Sequence, residues 1–280
     1  MQAAMGPILA AASWLSALSP APVAAAEDVA DVATPVPDSR PAFEGALGLQ
    51  VGNAPQYLGS DLRTTALRPG IYLRWGRFSI STAGNLRNRY DDDVLRGFGA
   101  ELLRSDDWRV QLGLRIDHGR QASDSPDLAQ LDEVEPTLRS RLSTTWRFEP
   151  DWQLGAGWSA DVLGRGGGSV VDLSIERDIR LSPRSRLSVG AGLSWADQRY
   201  MAARFGISPA AAERSGLPAY APGAGWRDIG FSLHLRTDID RQWSVWGTAS
   251  LGRLLGPTVD SPLTRQVTQF AVVSGVVWRF

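Results

Sequence analysis

The chain ends in the stretch Gln269-Phe-Ala-Val-Val-Ser-Gly-Val-Val-Trp-Arg-Phe280. Every second residue, counted back from the end, belongs to a mostly apolar set with an aromatic at each end: Phe280, Trp278, Val276, Ser274, Val272 and Phe270. A period of two is typical of one face of a β-strand. Aromatic rings at both ends of such a face suit the two headgroup levels of a bilayer. The stretch therefore predicts a membrane-spanning strand, with the last strand of a soluble β-sandwich as the alternative.

The position of this strand at the end of the chain is also informative. A strand that closes the chain on a free aromatic resembles the C-terminal insertion signal of bacterial outer-membrane barrels. We assign that role to Phe270, Trp278 and Phe280. The resemblance implies recognition by the barrel assembly machinery during insertion, and outer-membrane lipid as the final surroundings.

Composition limits the remaining possibilities. The 280 residues are enough for one large β domain, and the 29 basic and 30 acidic side chains give no argument for a nucleic-acid partner. The absence of cysteine excludes disulfides and thiolate chemistry. Beyond the N-terminus there is no run of about 18 apolar residues, so we expect no transmembrane helix. A barrel remains open, because its strands give a weaker signal.

The N-terminus has the pattern of an export signal. Residues 1–26 are predicted to be a signal peptide, because Ile8 to Leu18 is apolar and Ala24-Ala25-Ala26 supplies an A-x-A cleavage site. No Lys or Arg precedes the apolar run, and a disordered soluble tail is the alternative. Residues 27–41 are predicted to be disordered because they combine prolines with acidic and small residues. Residues 42–280 are predicted to form the barrel.

Alternating apolar and polar residues predict about twelve strands. Most have the length of about 9 to 12 residues that a tilted strand needs to cross a membrane. The predicted strands are Phe43 to Val51, Arg63 to Trp75, Phe78 to Gly84, Leu95 to Leu103, Trp108 to Asp117, Leu138 to Phe148, Trp152 to Val162, Val171 to Leu181, Leu187 to Trp195, Asp228 to Arg236, Trp243 to Leu251 and Gln269 to Phe280.

The connections between these strands are sorted by length. Every second one is a tight turn rich in Gly, Pro, Asp and Ser. The others are mostly long, at 52–62, 85–94, 118–135, 196–225 and 252–267, while 163–168 is short and glycine-rich. A soluble sandwich has no reason to sort its loops in this way. The sequence therefore predicts an all-β, transmembrane, antiparallel up-and-down barrel with short periplasmic turns and long extracellular loops.

Side-chain placement within the strands supports a barrel. Seven tryptophans lie near strand ends, which suits interfacial girdles; they are Trp75, Trp108, Trp146, Trp152, Trp195, Trp243 and Trp278. The lumen-facing charges are arginines on the sixth strand and acids on the eighth. These charges predict either an electric field across an open pore or a lumen filled by polar side chains whose charges pair and neutralise each other. We favour the second, which we call the paired polar filling.

Four loop patterns carry a family resemblance. They are Pro55-Gln-Tyr57-Leu58-Gly59-Ser60-Asp61; Tyr200-Met201 with Phe205-Gly206-Ile207-Ser208; Ser215-Gly216-Leu217-Pro218-Ala-Tyr220 with Gly225-Trp226-Arg227-Asp228; and Arg253-Leu254-Leu255-Gly256 with Asp260-Ser261-Pro262. Their order and spacing resemble the MipA/OmpV family. The resemblance implies an outer-membrane protein, in one member a scaffold that joins a lytic transglycosylase to a murein synthase. Other members look like porins or adhesins.

The motif residues that we single out all lie in predicted loops. We expect Gly59, Gly206 and Gly256 to supply positive-φ turns, and the aromatic residues among them to anchor loops by packing. Folding of the loops over the barrel mouth and a ligand site are the two interpretations, and we favour the first. Ser208 as N-cap and Pro209 at the first helical position predict a short helix in the longest loop. The full set is Tyr57, Gly59, Ser60, Asp61, Tyr200, Phe205, Gly206, Tyr220, Leu255, Gly256, Ser261 and Pro262.

Little in the sequence points to catalysis. The two histidines are His118 and His234, and no G-x-S-x-G nucleophile elbow or metal-ligand spacing is present. We therefore predict no catalytic residue, no cofactor and no metal. The predicted function is a non-enzymatic outer-membrane protein that acts as a scaffold towards a periplasmic lytic transglycosylase and murein synthase. A small-solute channel and a surface adhesin are the alternatives.

Overall fold

The computed structural model of the protein describes residues 43–82 and 97–280. In these residues twelve antiparallel strands follow one another around a closed barrel in chain order. The strands are β1 Phe43–Pro55, β2 Arg63–Trp75, β3 Phe78–Ser81, β4 Gly97–Arg104, β5 Trp108–Asp117, β6 Thr137–Glu149, β7 Trp152–Asp161, β8 Ser169–Arg180, β9 Ser185–Ala196, β10 Gly225–Asp238, β11 Trp243–Leu254 and β12 Thr268–Arg279. The predicted fold is confirmed.

The C-terminal strand closes the barrel. Trp278 on β12 lies opposite Leu47 on β1 and opposite Trp243 on β11. The Phe280 amide donates to the Gly45 carbonyl at 3.0 Å, and the Gly45 amide donates back at 3.1 Å. The Phe280 ring covers Gly45 so closely that an added Cβ would lie 2.4 Å from it. A larger residue at position 45 would displace this ring, and the two backbone hydrogen bonds join Phe280 to β1.

The outward face of the barrel is apolar. Large side chains on this face are widely exposed, among them Leu67 at 62%, Phe231 at 57% and Trp158 at 51%. A continuous band of this kind is the lipid-contacting surface of a membrane barrel. Aromatic pairs lie near the short-turn end, with Trp108 and Trp146 stacked at 5.7 Å. Arg177, which breaks the apolar alternation of β8, lies over the Trp152 ring at 5.3 Å.

The inward face is polar and its charges are paired. Arg139 is 1% exposed, and it contacts Asp117 at 3.1 Å. Similar ion pairs join Arg141 to Asp172 at 2.6 Å and Arg74 to Glu44 at 3.2 Å. The arrangement agrees with the paired polar filling that we favoured, because each buried charge needs a partner.

One side of the lumen is apolar instead. Trp246 faces inward on β11 and packs in a cluster with Ala46, Tyr72, Val273 and Val277. Its ring stacks on His234, with the ring centroids 5.9 Å apart. It lies against Gly275, where an added Cβ would be 3.0 Å from the indole. On this side of the lumen the Trp246 indole thus occupies the space left by the missing side chain of Gly275.

Several predicted boundaries are corrected. β1 extends to Pro55 rather than Val51, because Asn53 and Ala54 continue the ladder with β2. β11 extends to Leu254 rather than Leu251, since Arg253 still pairs with Thr268. β2 and β5 begin and end at the predicted residues. The predicted signal peptide, the N-terminal disordered segment and the loop 85–94 lie outside the described residues.

Long loops and short turns alternate as predicted. The long-loop end carries the segments 56–62, 118–136, 162–168, 197–224 and 255–267, whereas the opposite end carries tight turns such as 76–77 and 150–151. Two helices, α1 (Gln198–Phe205) and α2 (Pro209–Ser215), lie in the longest loop. In the described part of the chain, no helix is both long and apolar enough to cross a membrane.

Candidate functional site: the loop cap

The long loops pack together into one structure, which we call the cap: residues 56–62, 118–136, 197–224 and 255–267. Two buried apolar clusters hold it together. The first joins Val170 and Ala196 on the barrel to Tyr200, Met201 and Phe205 of α1 and to Leu254, with Leu58 and Val267 packed against it. The second joins Leu128, Leu131, Ile207, Ala211 and Leu263, with Tyr57, Ala212, Leu217 and Tyr220 packed against it.

Helix α1 bridges the barrel rim. It begins directly after β9, where the Asp197 carboxylate accepts hydrogen bonds from the Tyr200 amide at 2.7 Å and the Ser169 amide at 2.9 Å. At its other end the Arg204 guanidinium contacts the Asp117 carboxylate and the Gly119 carbonyl, both next to the end of β5. The helix is about 12 Å long, about half the width of roughly 24 Å expected for twelve tilted strands. It therefore ties two distant parts of the rim together.

Tyr200 lies among three guanidinium groups. Those of Arg139, Arg227 and Arg204 are 5.4, 5.5 and 5.9 Å from its ring centroid. Arg227 also donates to the Tyr200 hydroxyl at 3.0 Å. Each contact is a cation–π interaction in a water-poor setting, where such contacts are strongest.

A β-bulge brings Arg227 to this cluster. Trp226 pairs with Trp195 and Asp228 pairs with Ser194, so Arg227 is the extra residue on β10. Arg227 and Asp228 are consequently both buried, and they form an ion pair with each other. The bulge places a cation under α1 at a position that strict alternation would not give.

Tyr57 links three loops. Its hydroxyl lies 3.1 Å from both the Asp127 carboxylate and the Leu263 carbonyl. Burial, and then the neighbouring Asp127 carboxylate, raises the pKa of the Tyr57 phenol. The phenol therefore stays neutral and acts as a hydrogen-bond donor.

The residues that follow Tyr57 form the turn that holds the last loop. Gly59 has φ of 99°, and its carbonyl accepts from the amides of Arg265 at 2.7 Å and Gln266 at 2.9 Å. Ser60 is fully buried, and its carbonyl accepts from Gln269 at 3.3 Å. Asp61 is exposed.

Helix α2 confirms the predicted cap at Ser208. The Ser208 hydroxyl accepts from the Ala211 amide at 3.1 Å and donates to the Asp132 carboxylate. The hydrogen bond that Ser208 donates to Asp132 is the largest cause that holds the pKa of Asp132 below its usual range, and the hydrogen bond from Arg214 is the second. Tyr220 anchors the segment after the helix, because its hydroxyl donates to the Pro257 carbonyl at 2.6 Å.

The last motif connects the final loop to α1. The Leu255 amide donates to the Arg227 carbonyl at 2.9 Å, and Gly256 follows with φ of 51°. The buried Ser261 hydroxyl donates to the Phe205 carbonyl at 2.7 Å. Pro262 is half-buried next to it. Except for Asp61, the predicted motif residues thus come together in the cap.

The expectation for Gly206 is wrong in one respect. Gly206 ends α1 with φ of −77°, an ordinary extended conformation, rather than a positive φ. Glycine is required there for space, because an added Cβ would lie 2.4 Å from the Ala202 carbonyl oxygen. Gly59 and Gly256 have the positive φ that we predicted.

Sequence patterns did not single out several residues that hold the cap together. They include Arg204 and Asp117, and also Arg120, whose buried guanidinium donates to the carbonyls of Asp132 at 2.9 Å and Gly206 at 3.0 Å. These partners lie up to 87 residues apart in the chain. A local pattern contains no signal for such a contact.

The described residues give little support for catalytic chemistry in the cap. His234 lies in the lumen, 2.8 Å from the Thr248 hydroxyl, and His118 is exposed at the rim. Across residues 43–82 and 97–280, no group of three or more acidic or histidine side chains has a metal-binding arrangement. The contacts within the cap join the long loops to one another.

Comparison with known proteins gives a consistent family assignment. Residues 47–280 match the family model described as MltA-interacting protein MipA. The chain is 29% identical over 161 residues to a protein of Escherichia coli K12 named as outer membrane protein YiaT, covering 56% of this chain and 64% of that protein. It is 26% identical over 167 residues to the MltA-interacting protein of the same strain, covering 57% and 64%. The chain thus spans less than two thirds of the length of these curated relatives.

The match to one solved structure, the NanC porin, covers 83% of this chain and 98% of the porin chain. The TM-score is 0.42 and the sequence identity is 9%. A likeness of that size does not bear on function.

Proposed function

The chain belongs to the MltA-interacting protein (MipA) family of outer-membrane proteins, and from this premise we propose that it is a non-enzymatic scaffold of the outer membrane. Its partners are a periplasmic lytic transglycosylase and a murein synthase. One relative is named for its interaction with MltA. The short-turn end of the barrel faces the periplasm, so it is the surface that such partners reach.

The observation that carries the proposal is the packing of the loops at one end of the barrel together with the burial of lumenal charged side chains. The cap ties the long loops together, and lumenal charges such as Arg139 and Glu176 are buried at 1% and 3% exposure. An open pore needs a water-filled path lined by solvated side chains. Packed loops and buried lumenal charges support a barrel that binds rather than conducts.

The absence of a catalytic grouping among the described residues also supports the proposal. His234 contacts a threonine hydroxyl on β11 and stacks on Trp246. A hydrolase would need a nucleophile, a base and an orienting acid within hydrogen-bond reach of one another.

Planar-bilayer recording tests whether the barrel conducts. We expect the purified protein to give no steady current. Steady open currents would overturn this part of the proposal and favour the small-solute channel.

Affinity capture from a periplasmic extract tests the scaffold. We expect a lytic transglycosylase and a murein synthase to be enriched. A variant carrying D106N, D107N and D151N changes exposed side chains on neighbouring short turns, so it should recover less of both enzymes. R214Q changes an exposed cap residue at the opposite end and is the control. Equal recovery with and without the barrel as bait would refute the scaffold.

A further inference from the structure

The outward-facing rim at the long-loop end is divided into two sectors of different chemistry. Over β7, β9 and β10 it carries the exposed tryptophans Trp158, Trp195 and Trp226. Over β11, β12, β1 and β2 it carries arginines and small polar residues instead. We call this second part the cationic sector; it consists of Asn53, Arg63, Arg253, Arg265 and Thr268.

The alternation of the strands points two of these arginines outward. On β11, Leu251 and Arg253 are exposed, whereas Gly252 and Leu254 beside them are buried. On β2, Arg63 shares its parity with the exposed Thr65 and Leu67. Residues two apart lie on the same face of a strand, so Arg253 and Arg63 share the face that carries the lipid-contacting side chains.

The members of the cationic sector are neighbours around the barrel. β11, β12, β1 and β2 are consecutive strands. Arg253 pairs with Thr268, and Asn53 pairs with Thr65, two residues from Arg63. Arg265 belongs to the cap loop 255–267, is exposed and lies near enough to Tyr57 for its charge to act on that phenol; the turn after β1 fixes its backbone through the Gly59 carbonyl. Four strands at their usual spacing give a patch about 15 Å wide.

In the described part of the chain, the arginines of this sector are not held in ion pairs. Arg63 is held by a neutral partner, since its Nε donates to the Asn53 side-chain oxygen at 2.7 Å. Among the described residues, Arg63, Arg253 and Arg265 form no ion pair, whereas the cap arginines Arg204 and Arg214 pair with Asp117 and Asp132. The nearby acid Asp61 is exposed and forms no ion pair with them in the described structure. Exposed guanidinium groups of one sign attract anions.

The height of the sector relative to the membrane identifies the anion. Directly below it, the outward face carries Leu251, Phe270, Val51 and Leu67, which are 47%, 48%, 44% and 62% exposed. These side chains belong in hydrocarbon, so the arginines one step beyond them lie at the headgroup level of the outer leaflet. Phosphate is the anion that guanidinium binds best, because two donors match two oxygens.

We propose that the cationic sector binds the phosphate groups of a phosphorylated glycolipid of the outer leaflet. The acyl chains of the lipid lie along the apolar face of β11, β12, β1 and β2, and the arginines contact its headgroup. This inference depends on the outer-membrane location of the protein and is independent of the scaffold proposal.

Binding of purified bisphosphorylated lipid A to the detergent-solubilised barrel tests the inference. Lipid A is titrated while the intrinsic tryptophan fluorescence or the thermal unfolding midpoint is followed. We expect the variant carrying R63Q, R253Q and R265Q to bind about tenfold more weakly or worse, because charge-assisted hydrogen bonds are lost. R253Q alone, which removes no hydrogen bond within the described protein, should show part of the loss.

Two controls separate this site from a general effect of charge. R177Q removes an outward arginine at the opposite end of the barrel wall, and R199Q removes an exposed arginine of α1. Both should bind lipid A as the unaltered protein does. Dephosphorylated lipid A should bind the unaltered protein as weakly as lipid A binds the triple variant, and inorganic phosphate at millimolar concentration should not displace lipid A.

Three results would overturn the inference. They are equal binding by the triple variant and the unaltered protein, equal binding of lipid A with and without phosphates, and loss of binding in R177Q or R199Q to the same degree. A gel-mobility shift on boiling establishes that each variant is folded before it is titrated.

Discussion

At the scale of single residues, hydrogen bonds from side chains fix loops that are far apart in sequence. Tyr57 lies 70 residues from Asp127 and 206 residues from Leu263, and it contacts both. Arg120 satisfies carbonyls in two different loops. Such bonds each contribute about 1 kcal/mol to stability. Because they cross-link loops, their loss should loosen the cap while leaving the barrel wall intact.

The substitution Tyr57→Phe tests this at a single hydroxyl. We expect the cap to lose about 1 kcal/mol of stability, because the Asp127 and Leu263 oxygens lose their donor. Faster hydrogen exchange in residues 118–136 and 255–267, with unchanged exchange in the strands, is the expected result. Unchanged exchange in both loops would contradict it.

The same residue predicts a pH dependence. The pKa of Tyr57 is raised, so its stabilising effect is complete below the ordinary phenol value of about 10 and is lost as pH rises through the folded value. The difference in absorbance at 295 nm between the unaltered protein and Tyr57→Phe should therefore show no ionisation at pH 10. A difference in absorbance that corresponds to half-ionised Tyr57 at pH 10 would show that this phenol is exposed to solvent.

At the scale of elements, α1 acts as a crosspiece between β9 and β5. Its N-terminal end is capped by Asp197, next to β9, and its last turn contacts Asp117 through Arg204. Eight residues alone are too short to form a stable helix in water. The helix therefore depends on these contacts and on the burial of Met201 and Phe205, which are fully buried.

A pair of substitutions on this helix separates the ion pair from helix propensity. Arg204→Gln removes the contact with Asp117 and the Gly119 carbonyl. It should destabilise α1 by roughly 2 kcal/mol, because a charged hydrogen bond to Asp117 is lost while Arg139 still pairs with that carboxylate. Arg199→Gln makes the same change at an exposed position of the same helix and should have little effect. Hydrogen-exchange rates in residues 198–205 are measured for both variants. Equal effects of the two substitutions would show that the contact between Arg204 and Asp117 does not hold α1 in place.

At the scale of the whole molecule, closure of the barrel is the dominant event. β1 and β12 are distant in sequence, yet they form an eight-residue register from Ala46 with Arg279 to Asn53 with Val272. Closure pairs the edges of β1 and β12 with each other, which matters because a free backbone donor in hydrocarbon is costly. The Phe280 ring stabilises this junction through Trp278 at 5.1 Å and Phe43 at 6.4 Å.

Phe280→Ala should therefore impair assembly. Each lost aromatic contact is worth about 0.5–1.5 kcal/mol, and the predicted insertion signal loses its terminal residue. The fraction of protein whose gel mobility changes on boiling should fall, both in cells and in refolding from denaturant. Phe231→Ala, an exposed aromatic on β10, is the control. Normal assembly of Phe280→Ala would argue against the assigned signal.

Local sequence patterns were sufficient to predict the barrel. Alternation with a period of two is a local property, so the strands and their outward faces could be predicted from it, as Trp108–Asp117 illustrates. The alternation of long loops and short turns then predicted which end of the barrel faces the periplasm. The helix at Ser208 was also predictable, because a cap and a first-turn proline act within four residues.

The arrangement of the loops and of the lumenal side chains could not be predicted from local patterns. Arg204 and Asp117 are 87 residues apart in the chain, and their contact exists only because β5 and β9 lie on the same rim. Trp246 is a large apolar side chain on the lumenal face of β11, and the missing side chain of Gly275, its partner on the adjacent strand β12, leaves room for the indole. Side-chain pairing across a closed barrel depends on distances in space, and the local periodicity that fixes each strand does not encode them.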